Sequence, residues 1–135
     1  ERLTVRGWTS PAEIRDLLDA TTVLVFPSLW PETLGIVGLE ALSRGVPVVA
    51  SDVGGVREWC RDGETGYVVP PGDSAAIADR VRRLLEDRSR LRQFGERGIR
   101  TVRERFGLDH HADRLLEIYR RVVRPSNRPL VESHV

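Results

Sequence analysis

The chain has 135 residues, and its 21 basic side chains nearly balance its 20 acidic ones, for a formal net charge of +1 at pH 7. Because the charges nearly cancel, the protein has no strong net field that would attract a polyanion. This argues against a nucleic-acid-binding protein. A single cysteine excludes a disulfide framework and no apolar run approaches the ~20 residues of a membrane span, so we predict a soluble cytoplasmic protein.

The first part of the chain alternates strand and helix signals. A short β-prone run covers residues 3–5, and the capping box of Ser10 and Glu13 marks the start of a helix directly after it. Residues 22–26 are continuously apolar, which is typical of a strand buried on both faces of a parallel sheet.

The alternation continues with a helix predicted over residues 35–44, a second buried strand over 46–50, a short helix over 56–60 and a brief strand over 67–69. Strands that alternate with helices through short connections are connected by crossovers. The sequence therefore predicts an α/β fold, with a Rossmann-like parallel sheet and flanking helices.

The carboxyl-terminal part is predicted to be helical. Asp73 is the expected N-cap, and apolar stripes with helical spacing lie within residues 77–85, 91–106 and 108–122. Residues 125–135 have no period and are predicted to be a loose tail.

The charge is uneven along the chain. Residues 1–78 carry 6 arginines and 11 acids, whereas residues 79–128 carry 15 arginines and 8 acids. A basic helical surface could meet anionic lipid or a phosphorylated substrate, but we favour a solvated helix face with pairs such as Glu86 with Arg90 and Glu96 with Arg100.

The most informative segment covers residues 27–42, from the end of a buried strand into a helix that is apolar on most sides. In open α/β sheets, ligands bind outside the carboxyl ends of the strands, opposite helix N-termini. The unpaired N–H groups of the first turn, at Leu34, Gly35 and Ile36, suit a phosphate or hydroxyl oxygen.

Two carboxylates belong to the same segment. Glu40 stands among apolar residues, so we expect it near buried surface and in need of a partner. With Glu32 from the loop, it would suit a polyhydroxylated ligand. The alternative is that Glu40 pairs with Arg44 or Arg57 and that Glu32 lies on a surface loop, and spacing alone does not decide between the two.

The segment resembles the donor-site signature of the retaining, nucleotide-sugar-dependent glycosyltransferases of the GT-B fold, the group 1 or family 4 enzymes. Their mark is two glutamates separated by seven residues within P-S-x-x-E-x-x-G-[IL]-x-x-x-E-A-[ML]-x-x-G-x-P-V-[VI]-A, and residues 27–50 show it with one inserted residue. The likeness covers about residues 3–106 and includes Gly54 and Gly55, which could approach a ligand or serve a tight turn.

This resemblance implies that Glu32 is the catalytic residue, which contacts the donor sugar and places its anomeric carbon, and that Glu40 holds the ribose hydroxyls. The donor-binding positions that it implies are Arg6, Thr33, Leu34, Gly35, Ile36 and Glu40. It implies a UDP- or GDP-linked sugar as donor substrate, transfer with retention, no separate cofactor and no metal ion.

Family members also have an Arg and a Lys upstream that neutralise the diphosphate, and an amino-terminal acceptor domain. This chain contains no lysine, so we interpret it as the partial carboxyl-terminal domain of a bacterial enzyme, inactive as a transferase by itself. The division that we predict is a partial nucleotide-sugar-binding domain over residues 1–106, a crossover helix over 107–124 and the tail over 125–135. The competing hypothesis is a non-catalytic nucleotide-sugar-binding or interaction module, which the presence of both glutamates disfavours.

In the GT-B architecture that the chain resembles, the last helix packs on the amino-terminal domain. The apolar stripe in residues 109–123 would lack that cover here. We therefore expect a homo-oligomer formed through this helix, an exchange of the helix between copies, or a fold-back against the sheet, and we favour the homo-oligomer.

Overall fold

The computed structural model describes residues 3–123, and the tail predicted over residues 125–135 lies outside these described residues. The elements, in chain order, are α1 (Pro11–Asp19), β1 (Leu24–Phe26), α2 (Ile36–Ser43), β2 (Val48–Ser51), α3 (Val56–Trp59), β3 (Gly66–Val69), α4 (Ser74–Glu86), α5 (Arg88–Phe106) and α6 (Leu108–Val122).

The sheet has three parallel strands in the order β1-β2-β3, which confirms the predicted parallel α/β fold. Val49 in β2 lies opposite Val25 in β1 and opposite Tyr67 in β3. The central strand β2 is buried along its whole length. The expectation that residues 22–26 are buried on both faces is wrong, because β1 lies at the edge of the described sheet, and Val25 keeps 38% of its surface exposed.

Helices cover both faces of the sheet and enclose two apolar clusters. On one face, Val48 and Ala50 of β2 join Leu42 of α2 and Trp59 of α3. On the other, Val49 of β2 joins residues of β3, α4 and α5. The alternation along β2 therefore assigns successive side chains to opposite layers.

The predicted strand over residues 3–5 is wrong. These residues pair with no strand in the described part of the chain, and Leu3 and Val5 are 89% and 85% exposed. A β-prone run forms a strand only where a neighbour accepts its backbone hydrogen bonds, and no such neighbour lies beside it.

The predicted helix starts are confirmed. The Ser10 backbone N–H donates to the Glu13 carboxylate at 2.9 Å, and the Ser10 side chain accepts from the Glu13 N–H, which completes the capping box of α1. At α4 the Asp73 carboxylate accepts from the N–H of Ala76 at 2.8 Å. Such caps satisfy backbone donors that the first helical turn leaves free.

The arginine-rich helices carry short-range ion pairs, although not the predicted ones. Glu86 lies 3.4 Å from Arg82, and Glu96 lies 3.8 Å from Arg92. Each glutamate therefore pairs with the arginine four residues before it, on an exposed face where a pair adds ~0.3–0.5 kcal/mol at most.

The last helix, α6, follows α5 after Gly107 and lies against α5. None of its residues is buried, so the alternative in which this helix folds back against the sheet is wrong. Among residues 3–123, no helix combines the length and the apolar character that crossing a membrane requires.

Candidate functional site

Three loops meet at the carboxyl edge of the sheet, after β1, β2 and β3. The Gly55 N–H in the loop after β2 donates to the Glu32 carbonyl in the loop after β1 at 2.8 Å. In the loop after β3, a Cβ atom placed on Gly72 would lie 3.9 Å from Leu29 Cδ2. The loop after β1 is therefore hydrogen-bonded to the loop after β2 and lies close to the loop after β3, at the edge where open α/β sheets bind ligands.

Two glycines allow this close approach. Gly54 has φ +49°, and a Cβ atom there would lie 2.7 Å from the Glu32 backbone nitrogen and closer still to its carbonyl oxygen. A Cβ on Gly55 would overlap the Thr33 carbonyl. The two glycines thus form a tight turn, and the backbone that they approach is that of Glu32 and Thr33.

Glu32 is held at both ends. Its side chain is half-buried, and the Ser28 hydroxyl donates to Glu32 Oε1 at 3.1 Å. Its backbone carbonyl accepts the hydrogen bond from Gly55. A carboxylate with one oxygen bound and the other free can accept a hydrogen bond from a ligand hydroxyl.

The start of α2 follows the same loop. Gly35 is its N-cap, in the left-handed conformation with φ 73° and ψ 61°, and makes no side-chain cap. Within the described part of the chain, the N–H groups of Gly35 and Ile36 donate to no protein acceptor. Free N–H groups and the positive end of the helix dipole favour an anionic ligand oxygen here.

Glu40 lies in the second turn of α2, and the expectation that it is near buried surface is wrong because its side chain is exposed. The buried residues of α2 are Gly38, Ala41 and Leu42, so Glu40 falls outside the packed face. Apolar neighbours in sequence did not predict this, since an eight-residue helix has too few turns to define its packed side by composition.

The proposed alternative partners of Glu40 are engaged elsewhere. Arg44 pairs with Asp19, and Arg57 makes two bonds of 2.7 Å to the Asp52 carboxylate. The Arg57 guanidinium lowers the pKa of the Asp52 carboxyl through these bonds. Among residues 3–123, Glu40 has no hydrogen-bond or ion-pair partner for its carboxylate.

The remaining donor-binding positions divide into two groups. Thr33 and Leu34 lie between Glu32 and α2 and belong to the same loop. Arg6 is exposed, and its charge is the smallest of the causes that lower the pKa of Glu13, which the Ser10 hydroxyl lowers most. Among residues 3–123, no hydrogen bond or ion pair joins Arg6 to the Glu32 loop, so its place beside the donor stays a prediction. In the described ranges, no three His, Cys, Asp or Glu side chains come together as metal ligands.

One residue of this region was missed by the sequence analysis. Trp59 is fully buried in α3, and its indole N–H donates to the carbonyl of Leu34, just before α2. A tryptophan beside Cys60 in a short apolar helix indicates a packed side chain. Only the fold shows that the Trp59 indole contacts the loop before α2.

A parallel α/β sheet with free helix-start N–H groups and carboxylates at its carboxyl edge is an architecture of nucleotide-binding proteins. The family model for glycosyl transferases group 1 matches residues 1–101. The chain belongs to this family.

The relatives agree with this assignment. The alpha-maltose-1-phosphate synthase of Mycolicibacterium smegmatis is 42% identical over 124 residues, which cover 87% of this chain and 32% of that protein. The chain spans between 24% and 35% of the length of the curated relatives that it matches.

Solved structures share the fold. Anabaena HepE in complex with UDP is 27% identical with a TM-score of 0.77, over 82% of this chain and 30% of that one. The carboxyl-terminal domain of the group 1 family protein LpcC from Francisella tularensis is 27% identical with a TM-score of 0.70, over 77% of this chain and 53% of that one. The fold is that of a partial carboxyl-terminal, Rossmann-like domain of a GT-B glycosyltransferase.

Proposed function

We propose that this chain forms the donor-binding part of a glycosyltransferase that moves a sugar from a nucleoside diphosphate sugar to an acceptor with retention of configuration. The observation that carries the proposal is the juxtaposition, in one loop, of a carboxylate held by Ser28 and two helix-start N–H groups that have no acceptor among residues 3–123. The complexes of HepE with UDP and UDP-glucose support it, since the two chains share this fold.

In this proposal, each part of the site has one task. The N–H groups of Gly35 and Ile36 bind oxygens of the diphosphate or the sugar, and Glu32 accepts hydrogen bonds from sugar hydroxyls and fixes the anomeric carbon. Glu40, which has no protein partner in the described region, accepts the two ribose hydroxyls.

The reaction needs no nucleophile from the protein. The bond between the anomeric carbon and the diphosphate oxygen breaks with its electron pair on the diphosphate. The acceptor hydroxyl oxygen forms the new bond on the same face, and its proton goes to the departing diphosphate. The residues of this chain contribute by holding the donor so that these atoms are in place.

The test separates binding from turnover with two variants. Glu40→Gln keeps the shape and loses hydrogen bonds to a charged acceptor, so the affinity for the donor should fall by about 10-fold to 100-fold. Glu32→Gln should bind the donor with less than about a tenfold change and lower the turnover number strongly. Calorimetry of the 135-residue chain with UDP-glucose and GDP-mannose measures binding, and an assay of the complete enzyme measures turnover.

The matched control is Glu96→Gln, an exposed glutamate of α5 outside the three loops. This variant should change neither the affinity for the donor nor the turnover number. A wild-type chain that binds neither donor refutes the proposal, whereas normal turnover of Glu32→Gln in the complete enzyme would show that Glu32 has no catalytic task.

A further inference from the structure

The indole of Trp59 lies beneath the start of α2. The ring is fully buried, and Phe26 at the end of β1 meets it edge-on, with the ring centroids 6.0 Å apart and the planes at 82°. Its N–H donates to the Leu34 carbonyl. Trp59 thus connects the packed core to the loop that carries Glu32.

A glycine makes room for this indole. A Cβ atom on Gly38 would overlap three carbons of the Trp59 ring, and one on Gly35 would lie 3.5 Å from Trp59 Cζ2. Glycine is less favourable than alanine inside a helix, so Gly38 requires a packing reason. The close approach of the indole to α2 supplies that reason.

The hydrogen bond to Leu34 determines the direction of the next N–H group. The Leu34 carbonyl and the Gly35 N–H belong to one planar trans peptide group, in which they point in opposite directions. Since the indole holds the carbonyl toward the core, the Gly35 N–H points away from it. That N–H has no acceptor among the described residues.

We propose that Trp59, with Gly38 opposite it, is a positioning residue that holds the Leu34–Gly35 peptide group so that the Gly35 N–H faces the donor. The inference rests on the proposed donor-binding function. In it, neither Trp59 nor Gly38 contacts the ligand directly. Trp59 acts through the backbone of Leu34 and Gly35.

The first test removes the N–H and keeps a ring. Trp59→Phe should weaken the binding of UDP-glucose by about fivefold, the loss expected when one net hydrogen bond disappears. The control is Tyr67→Phe, which removes the hydroxyl that lies 3.3 Å from Arg90 Nη1 in the other apolar cluster. That variant should change the melting temperature and leave the affinity as in the wild type.

The second test uses the complementary shapes of the pair. Gly38→Ala should destabilise the chain, because the new methyl group overlaps the indole. Adding Trp59→Phe should recover part of the lost melting temperature, since the smaller ring leaves room for the methyl group and still fills much of the space of the indole. The affinity of this double variant should stay low, because no indole N–H holds the Leu34 carbonyl.

The orientation of the Leu34–Gly35 peptide group can be tested by nuclear magnetic resonance of the chain without ligand. The Trp59 indole proton should exchange slowly and those of Trp8 and Trp30 rapidly, since the latter two residues are 92% and 78% exposed. In Trp59→Phe the amide resonance of Gly35 should shift, and in Tyr67→Phe it should not.

The outcomes separate the two proposals. A wild-type chain that binds neither UDP-glucose nor GDP-mannose overturns the proposed function, and the Gly35 resonance then still tests the positioning. An unshifted Gly35 resonance in Trp59→Phe overturns the positioning, whatever the chain binds. Recovery of both stability and affinity in the double variant also overturns it, because Trp59 would then serve packing alone.

Discussion

Burial controls the chemistry of the single cysteine. Cys60 is 2% exposed, and desolvation raises the pKa of its thiol to about 12, with the Asp62 charge acting in the same direction. The thiolate is the reactive form, so a thiol reagent at pH 8 should modify Cys60 only when the chain unfolds. The labelling rate should follow the unfolding transition in urea, and a native-state rate equal to that of a free thiol would contradict this.

The same pKa predicts how stability depends on pH at the alkaline end. Because the folded-state pKa lies above the unfolded value, the contribution of Cys60 is complete below pH 9.0 and is lost as the pH rises toward about 12. Cys60→Ala should remove this part of the pH dependence.

Gly54 tests the contact between the loops after β1 and β2. Gly54→Ala combines an unfavourable positive φ with a Cβ atom that overlaps the Glu32 carbonyl, whereas Gly63→Ala has φ +75° with nothing within 4 Å. Both variants should lose the ~1–2 kcal/mol that a left-handed alanine costs. Only Gly54→Ala should also lose affinity for UDP-glucose in calorimetry, and equal affinities in the two variants would contradict the contact.

At this scale the sequence predicted the position of the loop in the fold better than it predicted the surroundings of the side chains. The loop of Glu32 and Gly35 lies where strand and helix signals placed it. The burial of Glu40 and the contact of Trp59 with Leu34 depend on which helix face packs and on chain segments 25 residues apart, which no local pattern contains.

Among the secondary-structure elements, the packing of α5 on the end of α2 depends on small residues. A Cβ atom on Gly95 would overlap the Gly45 carbonyl oxygen and lie 3.2 Å from the carbonyl carbon. A helical Gly95→Ala would ordinarily stabilise, but this overlap with backbone should instead lower the free energy of unfolding by about 1–3 kcal/mol.

Urea denaturation measures that change. Arg92→Ala is the control on the same helix, because the Arg92 side chain is 78% exposed and its ion pair is a surface pair. It should change the free energy of unfolding by no more than ~0.5 kcal/mol. A stabilised Gly95→Ala would show that α5 stands farther from α2.

Local patterns predicted every helix and all three strands of residues 3–123, because amphipathic stripes, caps and apolar runs are local. They failed for residues 3–5, since a strand also needs a neighbour beside it in the sheet. They likewise could not show that β1 lies at an edge with Val25 partly exposed. Strand pairing is a property of the assembled sheet, so local β propensity is insufficient to predict it.

On the scale of the whole molecule, α6 presents an apolar face that the described chain does not cover. Its exposed apolar residues are Leu108, Leu115, Leu116, Ile118, Tyr119, Val122 and the adjoining Val123. At 100° per residue these positions fall within one half of the helix circumference. Contiguous exposed apolar patches of this kind are uncommon on monomeric proteins.

The isolated 135-residue chain should therefore self-associate through α6, because a second copy offers an identical apolar face and association removes both from water. Sedimentation at increasing protein concentration should show a dimer or a larger species. Leu115→Glu with Tyr119→Glu should restore the monomer, since two carboxylates in the contact would be buried without partners.

Glu104→Gln on α5, whose side chain is exposed, should leave the association unchanged. A wild-type chain that stays monomeric at millimolar concentration would show that this face needs no cover, and one that associates equally in the double variant would place the contact on another surface.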